Sequence, residues 1–493
     1  MTVIAVDKGA AGCARATTSK QATRDVNHHN GNNEQNPVIA GCEFVYENTD
    51  LVRVDEDSVK AAASYIQHKM LSEAYSPRTW RTHPLHIIPD DTKPLHDPAN
   101  VRVLDWIFLI SSLNFSFWSE REGTEARYGV EWQESWTDTR PKVFTGYWSL
   151  VAALNRALSE GIPIIDPTFY ADKVACPDEL IAHVFRRAPQ SEENIPLLRE
   201  RIGIMRENGR ILCENFGGSF TGFIDAFHAR HTGQGTALDL VKMVTETFPS
   251  FRDETMFEGR RVCIWKRAQI LVAELWAAFF PDVSSESSAS PLSTLSANPS
   301  SLSVNPTSPA TAPAFPSTLT PASRINAEIT PTSTSPPHPL FPGPRGPAIG
   351  SLTMFADYRV PQVLHHLRIL QYSPALERML REYVYLENGS KEEVALRAGS
   401  VLAVERVREA IERRISRMGL QDKDSHSNGK GKGNEVDSKT NGATKTTELE
   451  VSSVLIDFYL WDLAKRVESG VERIEGIETA DVLPAHRTRS IWY

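Results

Sequence analysis

The chain is short of the features that mark several functional classes. Its five cysteines (Cys13, Cys42, Cys176, Cys213 and Cys263) are odd in number and scattered, with no Cys-x-x-Cys pair. That pattern argues against a disulfide-stapled scaffold or a structural zinc site and fits a reduced, intracellular compartment. No run of 18 apolar residues occurs, so no membrane-spanning helix is expected. Val3-Ile4-Ala5-Val6 is broken by Asp7, so no secretory leader is expected either. Positive charge is not in excess: 53 Lys and Arg against 62 Asp and Glu give a net charge of −9. A long nucleic-acid footprint needs clustered cations, so a direct, stable nucleic-acid partner is not expected. Also missing are His-Glu-x-x-His, Gly-x-x-x-x-Gly-Lys-Ser, Gly-x-Gly-x-x-Gly and Gly-x-Ser-x-Gly. Metalloprotease, P-loop, dinucleotide-dependent and common serine-hydrolase chemistries therefore lack support. A cytoplasmic globular protein without a metal is expected.

Proline is plentiful but unevenly placed. Of 31 prolines in 493 residues, 14 lie between Ser284 and Pro347, a stretch with 23 Ser or Thr and no tryptophan. Such a stretch cannot bury enough apolar surface to offset its ordering entropy, and disorder is expected there. Residues 421–448 have the same polar character, and residues 1–38 read as a polar tail. The expected organisation is a disordered tail over 1–38 and one composite domain over 39–493. Disordered inserts at 284–347 and 421–448 interrupt it at loops, where long insertions cost little closure entropy.

The foldable parts read mostly as helix. Behind the acidic turn Asp55-Glu56-Asp57-Ser58, the residues Val59, Ala62, Ala63, Ile66 and Met70 recur at helical spacing. Residues 147–160 carry one apolar stripe, stopped by Gly161 and Pro163. Helical patterns also cover about 177–187, 192–215, 235–247, 267–280, 359–370, 375–385, 392–417 and 451–468. Arg261–Trp265 and Lys142–Phe144 are short strand candidates. The fold class is mainly α with a few short β-strands, the alternative being α+β.

Four segments are denser in aromatic and polar residues than a core requires. In Leu113–Glu120 the alternation through Trp118 predicts a strand with Asn114 and Ser116 on one face. Lys266 and Arg267 are adjacent cations at a strand-to-helix junction, suited either to clamping a phosphate or to pairing with nearby acids. In Thr353–Gln362, Thr353 can cap a turn, while Phe355 and Asp357 share a face of extended chain. An aromatic ring beside a carboxylate suits a flat heterocycle; the plainer reading pairs Asp357 with Arg359. In Ile456–Asp462, Asp462 sits in an apolar helical stripe, either exposed or part-buried with a hydrogen-bonding partner.

At these segments the sequence resembles the queuosine salvage protein family, the queuosine 5′-phosphate N-glycosylase/hydrolases. The matching runs are Leu113–Glu120, Thr145–Leu150, Asn155–Leu158, Gly161–Ile164, Phe216–Phe220, Lys266–Ile270, Thr353–Leu364, Leu460-Trp461-Asp462 and Ile491-Trp492-Tyr493. The resemblance implies a DNA-glycosylase-like helical core and hydrolysis of queuosine 5′-phosphate to queuine, with no cofactor. It implies Asp357 as catalytic carboxylate, Phe355 stacked on the deazapurine, and Asp462 on the base or its cationic arm. An upstream histidine belongs to the family's base pocket; His86 is chosen over His83 and His96. Lys266 and Arg267 are placed on the 5′-phosphate from their charge and position. The partners expected are the small-molecule substrate and its product, for a monomeric enzyme with no membrane association. The alternative function is a non-catalytic module binding queuine or modified tRNA.

Overall fold

A computed structural model describes residues 36–282, 337–427 and 451–493, with side chains in the second segment through 417. The helices are α1 (Pro37–Glu47), α2 (Glu56–Ser72), α3 (Pro98–Leu113), α4 (Tyr147–Ser159), α5 (Pro167–Ala171), α6 (Asp178–Val184) and α7 (Leu198–Asn215). They continue with α8 (Phe220–Arg230), α9 (Ala237–Thr247), α10 (Lys266–Ala278), α11 (Val360–His366), α12 (Pro374–Arg381), α13 (Lys391–Ser427) and α14 (Ser453–Glu468). The strands among the described residues form three two-stranded antiparallel ribbons. β1 (Val52–Val54) pairs with β6 (Leu370–Tyr372), β2 (Gly129–Gln133) with β3 (Pro141–Thr145), and β4 (Glu254–Phe257) with β5 (Arg260–Cys263). The fold is therefore mainly helical, as the periodicity predicts. No helix among the described residues is long and apolar enough to cross a membrane.

The middle of the core is α10 packed on α3. Every residue of α10 is buried, and α3 buries everything from Val103 to Leu113. The helix expected at 267–280 is α10, buried along its whole length, whereas α3 is absent from the sequence-based helices, as are α1, α5 and α8. The helix expected behind Asp55 is α2, with the Asp55 side chain accepting the Ser58 N–H at 2.8 Å. β4 and β5 turn through Glu258 and Gly259, both at positive φ (45° and 78°), as a two-residue hairpin requires. β5 ends at Cys263 because Trp265 adopts the left-handed conformation (φ 51°) that starts α10.

Two boundaries shift from the sequence reading. The tail placed at 1–38 stops short of Asn36, which caps α1 and hydrogen-bonds Gln269 at 3.1 Å, while Val38 is fully buried. The insert placed at 284–347 ends earlier than its composition suggests. His338 bonds the Trp276 carbonyl at 3.0 Å, Leu340 and Phe341 are buried, and the Pro347 carbonyl accepts the Ala237 N–H at 2.8 Å. Proline there supplies fixed turns against the core rather than disorder. Helix α13 runs on to Ser427, past the expected start of the second insert. The disorder expected of 1–35, 284–336 and 428–448 lies outside the described residues.

Candidate active site

A cavity of about 330 Å³ opens where α10, α14, the first turn of α4, residues 75–86 and residues 353–359 meet. Five of the six residues singled out from the sequence line it: His86, Lys266, Phe355, Asp357 and Asp462. Arg267 does not. It is fully buried on the opposite side of α10, donating to the carbonyls of Ser112 and Ser250 between the rings of Phe115 and Phe251. Successive helical residues point about 100° apart, and here the second of the two adjacent cations is turned into the core. The phosphate role placed on Arg267 is withdrawn.

Arg201 and Lys266 also explain why Leu113–Glu120 is not a strand. Arg201 donates to the carbonyls of Leu113 and Phe115 and Lys266 to that of Asn114, so side-chain cations satisfy the backbone that a neighbouring strand would otherwise pair. The chain instead turns at Ser116 (φ 57°), whose N–H meets the Tyr493 carbonyl at 2.9 Å. Asn114 and Phe117 from this coil line the cavity.

Lys266 projects from the first turn of α10 and donates to the Asn114 carbonyl at 3.2 Å. Burial pulls its amine down to about 8, against the opposing attraction of Asp357. One and two turns further along the same face stand Ile270 and Glu274, also in the lining. Glu274 accepts the hydroxyls of Ser111 (3.1 Å) and Tyr147 (3.2 Å), and burial pushes its carboxyl up to about 7.

Residues 353–357 are not the extended chain expected: they belong to no strand, the Asp357 N–H turns back to the Phe355 carbonyl at 2.7 Å, and the segment is clamped at almost every step. Thr353 caps no turn; it exchanges hydrogen bonds with Gln269 of α10 at 2.8 and 2.9 Å. The Phe355 N–H donates to Asp457 of α14 at 3.0 Å, and the Ala356 carbonyl accepts from Arg397 at 3.3 Å. Arg397 is buried, bridges Asp253 and Glu393, and Asp253 in turn accepts the Lys266 N–H at 3.2 Å. One ionic network thus holds the bases of both Lys266 and the Asp357 loop. Asp357 Oδ1 accepts the N–H groups of Arg359 and Val360, each at 2.8 Å, which fixes the carboxylate plane. The Arg359 guanidinium pairs with Glu468 (2.7 Å) and Glu122 (3.7 Å) instead of with Asp357.

The facing wall is aromatic. Gly146 takes φ 61° and ψ −142°, a region open only to glycine, and so turns β3 straight into α4. Tyr147 and Trp148 on that first turn reach the cavity. His83 stacks on Trp148 with ring centroids 3.5 Å apart, and His86 stacks on Trp80 at 4.1 Å. His86 Nδ1 donates to the Trp80 carbonyl at 2.7 Å, leaving Nε2 as a buried acceptor without a hydrogen-bond partner among the described residues. Burial pushes both imidazoles down, His83 to about 4 and His86 to about 3, so both are neutral near pH 7. His96 is exposed and bonds Asp225, away from the cavity.

Helix α14 contributes Asp457, Trp461 and Lys465 at i, i+4 and i+8, with Phe458 and Asp462 beside them. Asp462 is half-buried and accepts the Tyr75 hydroxyl at 2.7 Å; burial raises its carboxyl above the usual range. Burial, then Arg359, pull the Lys465 amine down to about 8. Asp457, Glu274, Lys465, His83 and Trp148 were not singled out from the sequence. Charged residues eight apart on one face of two otherwise apolar stripes, Lys266/Glu274 and Asp457/Lys465, are the signal that marks three of them.

The model of the queuosine salvage protein family matches residues 94–287 and 345–493. The chain is 32% identical over 468 residues to the queuosine 5′-phosphate N-glycosylase/hydrolase of Schizosaccharomyces pombe, covering 92% of this chain and 99% of that protein. It is 32% identical over 463 residues to the Mus musculus protein of the same name, covering 91% and 96%. The Sphaerobacter thermophilus protein of that name is 30% identical over 457 residues, covering 92% and 97%. This chain belongs to the queuosine salvage protein family.

Proposed function

We propose that this chain hydrolyses the N-glycosidic bond of queuosine 5′-phosphate, releasing queuine and ribose 5-phosphate, with Asp357 as the catalytic carboxylate. The observation that carries the reading is the placement of Asp357: immobilised by two N–H donors, beside Lys266, within reach of a buried aromatic ring. Breaking the bond develops positive charge at C1′, and a fixed carboxylate stabilises that charge without reorganising when it appears. Phe355, backed by Phe458 at 5.9 Å, offers a face for the deazapurine. His86 Nε2 offers an acceptor to an N–H or O–H of the substrate. Asp462, among Trp461, Tyr75 and Trp148, supplies negative charge for the amine on queuine's side arm.

The 5′-phosphate finds counter-charge at Lys266 and Lys465, which replace the Lys266–Arg267 pair. A phosphate beside these amines would raise their pKa values and keep both protonated.

Incubation of the purified chain with queuosine 5′-phosphate is expected to release queuine, and Asp357→Asn to cut kcat about 100- to 1,000-fold, the range for losing one aimed electrostatic group. Undiminished turnover by Asp357→Asn would remove that residue from the chemistry. Tight queuine binding without turnover by the wild type would favour the binding-module alternative.

A further inference from the structure

The mechanism above uses one carboxylate and leaves a second one in the same cavity without a task. Asp457 lines the cavity from the second turn of α14, is 4% exposed, and among the described residues makes one hydrogen bond, accepting the Phe355 N–H on Oδ1 at 3.0 Å. It is therefore tethered to the backbone of the residue whose ring stacks the base, two positions before Asp357. The charged groups sharing the cavity with it are Asp357 on the clamped segment, Lys266 and Glu274 on α10, Asp462 and Lys465 on α14, and Arg359.

We propose that Asp457 is the general acid that protonates the departing base. The proposal rests on the hydrolase reading above. It answers a problem set by the substrate: purine nucleosides commonly leave after protonation at N7, and a 7-deazapurine has carbon there. Its negative charge on departure must be neutralised at another ring nitrogen, so an acid has to stand beside the stacked base rather than at its N7 edge. Asp457 stands there. Burial and the nearby Asp357 raise its carboxyl well above the usual range, against the opposing pulls of the Phe355 N–H and Lys266, which favours its protonated form.

The step balances as follows. The C1′–N9 bond breaks with its electron pair passing to the base, and the Asp457 O–H proton moves to a ring nitrogen of that base. A water oxygen bonds to C1′ and gives a proton to Asp357. Asp357 releases that proton and Asp457 takes one up from solvent, so the sum is one water consumed.

The test compares two leaving groups. Asp457→Asn keeps the size and the acceptor for the Phe355 N–H but cannot transfer a proton. On queuosine 5′-phosphate, kcat is expected to fall about 100-fold or more, the usual share of a positioned acid. Its decline at alkaline pH is expected to disappear from the profile. On 4-nitrophenyl β-ribofuranoside 5-phosphate, whose phenolate leaves unaided, Asp457→Asn is expected to match the wild type, which also shows that the variant folds. Asp357→Asn is expected to lose activity on both. Equal losses by Asp457→Asn on both substrates, or an alkaline decline that persists in that variant, would overturn the assignment. Should the wild type leave the nitrophenyl compound intact, the pH profile alone decides in the same way. Absence of queuine release by the wild type would instead sink the hydrolase reading itself.

Discussion

One wall of the cavity, formed by α10, α14 and residues 353–359, presents Lys266, Glu274, Asp357 and Asp457. The other, formed by residues 75–86 and the first turn of α4, presents Trp80, His83, His86, Tyr147 and Trp148. The polar wall is bolted to the backbone: the Asp357 loop is held by Gln269, Asp457 and Arg397, and Asp357 itself by two N–H groups. The aromatic wall is held by ring-on-ring contact, His83 on Trp148 and His86 on Trp80. Charges that act as charge develops at C1′ must be preorganised, whereas flat rings bind a flat base equally well before and during reaction. The polar wall should therefore set kcat and the aromatic wall KM.

After the Asp357 and Asp457 variants above, the largest expected effect is again on the polar side. Lys266→Met keeps the buried stem but removes the charge, and the loss of kcat/KM for queuosine 5′-phosphate is expected to be about 10- to 100-fold, equivalent to a charge-assisted contact of about 1.5–3 kcal/mol. Its neighbour serves as the control. Arg267→Met leaves the carbonyls of Ser112 and Ser250 without donors, at about 1–3 kcal/mol each, so thermal melts should show clear destabilisation. KM of the folded fraction should stay within about threefold of wild type, since this group is remote from the cavity. A KM effect as large as that of Lys266→Met would break the distinction between the two.

On the aromatic side, Trp148→Phe shrinks the platform while retaining a ring. KM should rise several-fold with kcat nearly constant, at about 0.5–1.5 kcal/mol for a weakened aromatic contact. A fall in kcat with unchanged KM would assign that wall to the chemistry instead.

The smallest effect concerns Glu274, which links the two walls through Tyr147. Its folded pKa, about 7, lies above its ordinary value of 4.5, so the folded state holds the proton more tightly. Its contribution to stability is present in full below about pH 4.5 and is lost as pH rises through about 7. Glu274→Gln should flatten that part of the Tm–pH curve, read as the difference between wild type and variant from pH 4.5 to 8. Identical curves would show that Glu274 ionises freely.

The pattern of success in the sequence reading follows from where each signal originates. Helices with one wet face, such as α2 and α12, announce themselves by period; α3 is buried from Val103 to Leu113 and offers little period to read. Asp357 and Phe355 were legible because a carboxylate and a ring two apart are unusual in a segment that reads as extended. Asp457 was not, since its burial against Phe355 depends on a residue 102 positions away. Lys266 and Arg267 look equivalent in sequence, and only the direction of α10 separates them. The Leu113–Glu120 segment misled for the reverse reason. Its alternation is that of a strand, but Arg201 of α7 and Lys266 of α10 take the hydrogen bonds a partner strand would need.

The contact between His338 and the Trp276 carbonyl has a practical consequence. It fastens the chain shortly before and shortly after residues 283–336, so the two ends of that segment meet at a fixed clasp on the core. Closure entropy grows only slowly with length once the ends are pinned. A reporter domain or affinity handle spliced between these ends would be carried by the clasp rather than by the catalytic cavity, which makes this the natural place to instrument the protein.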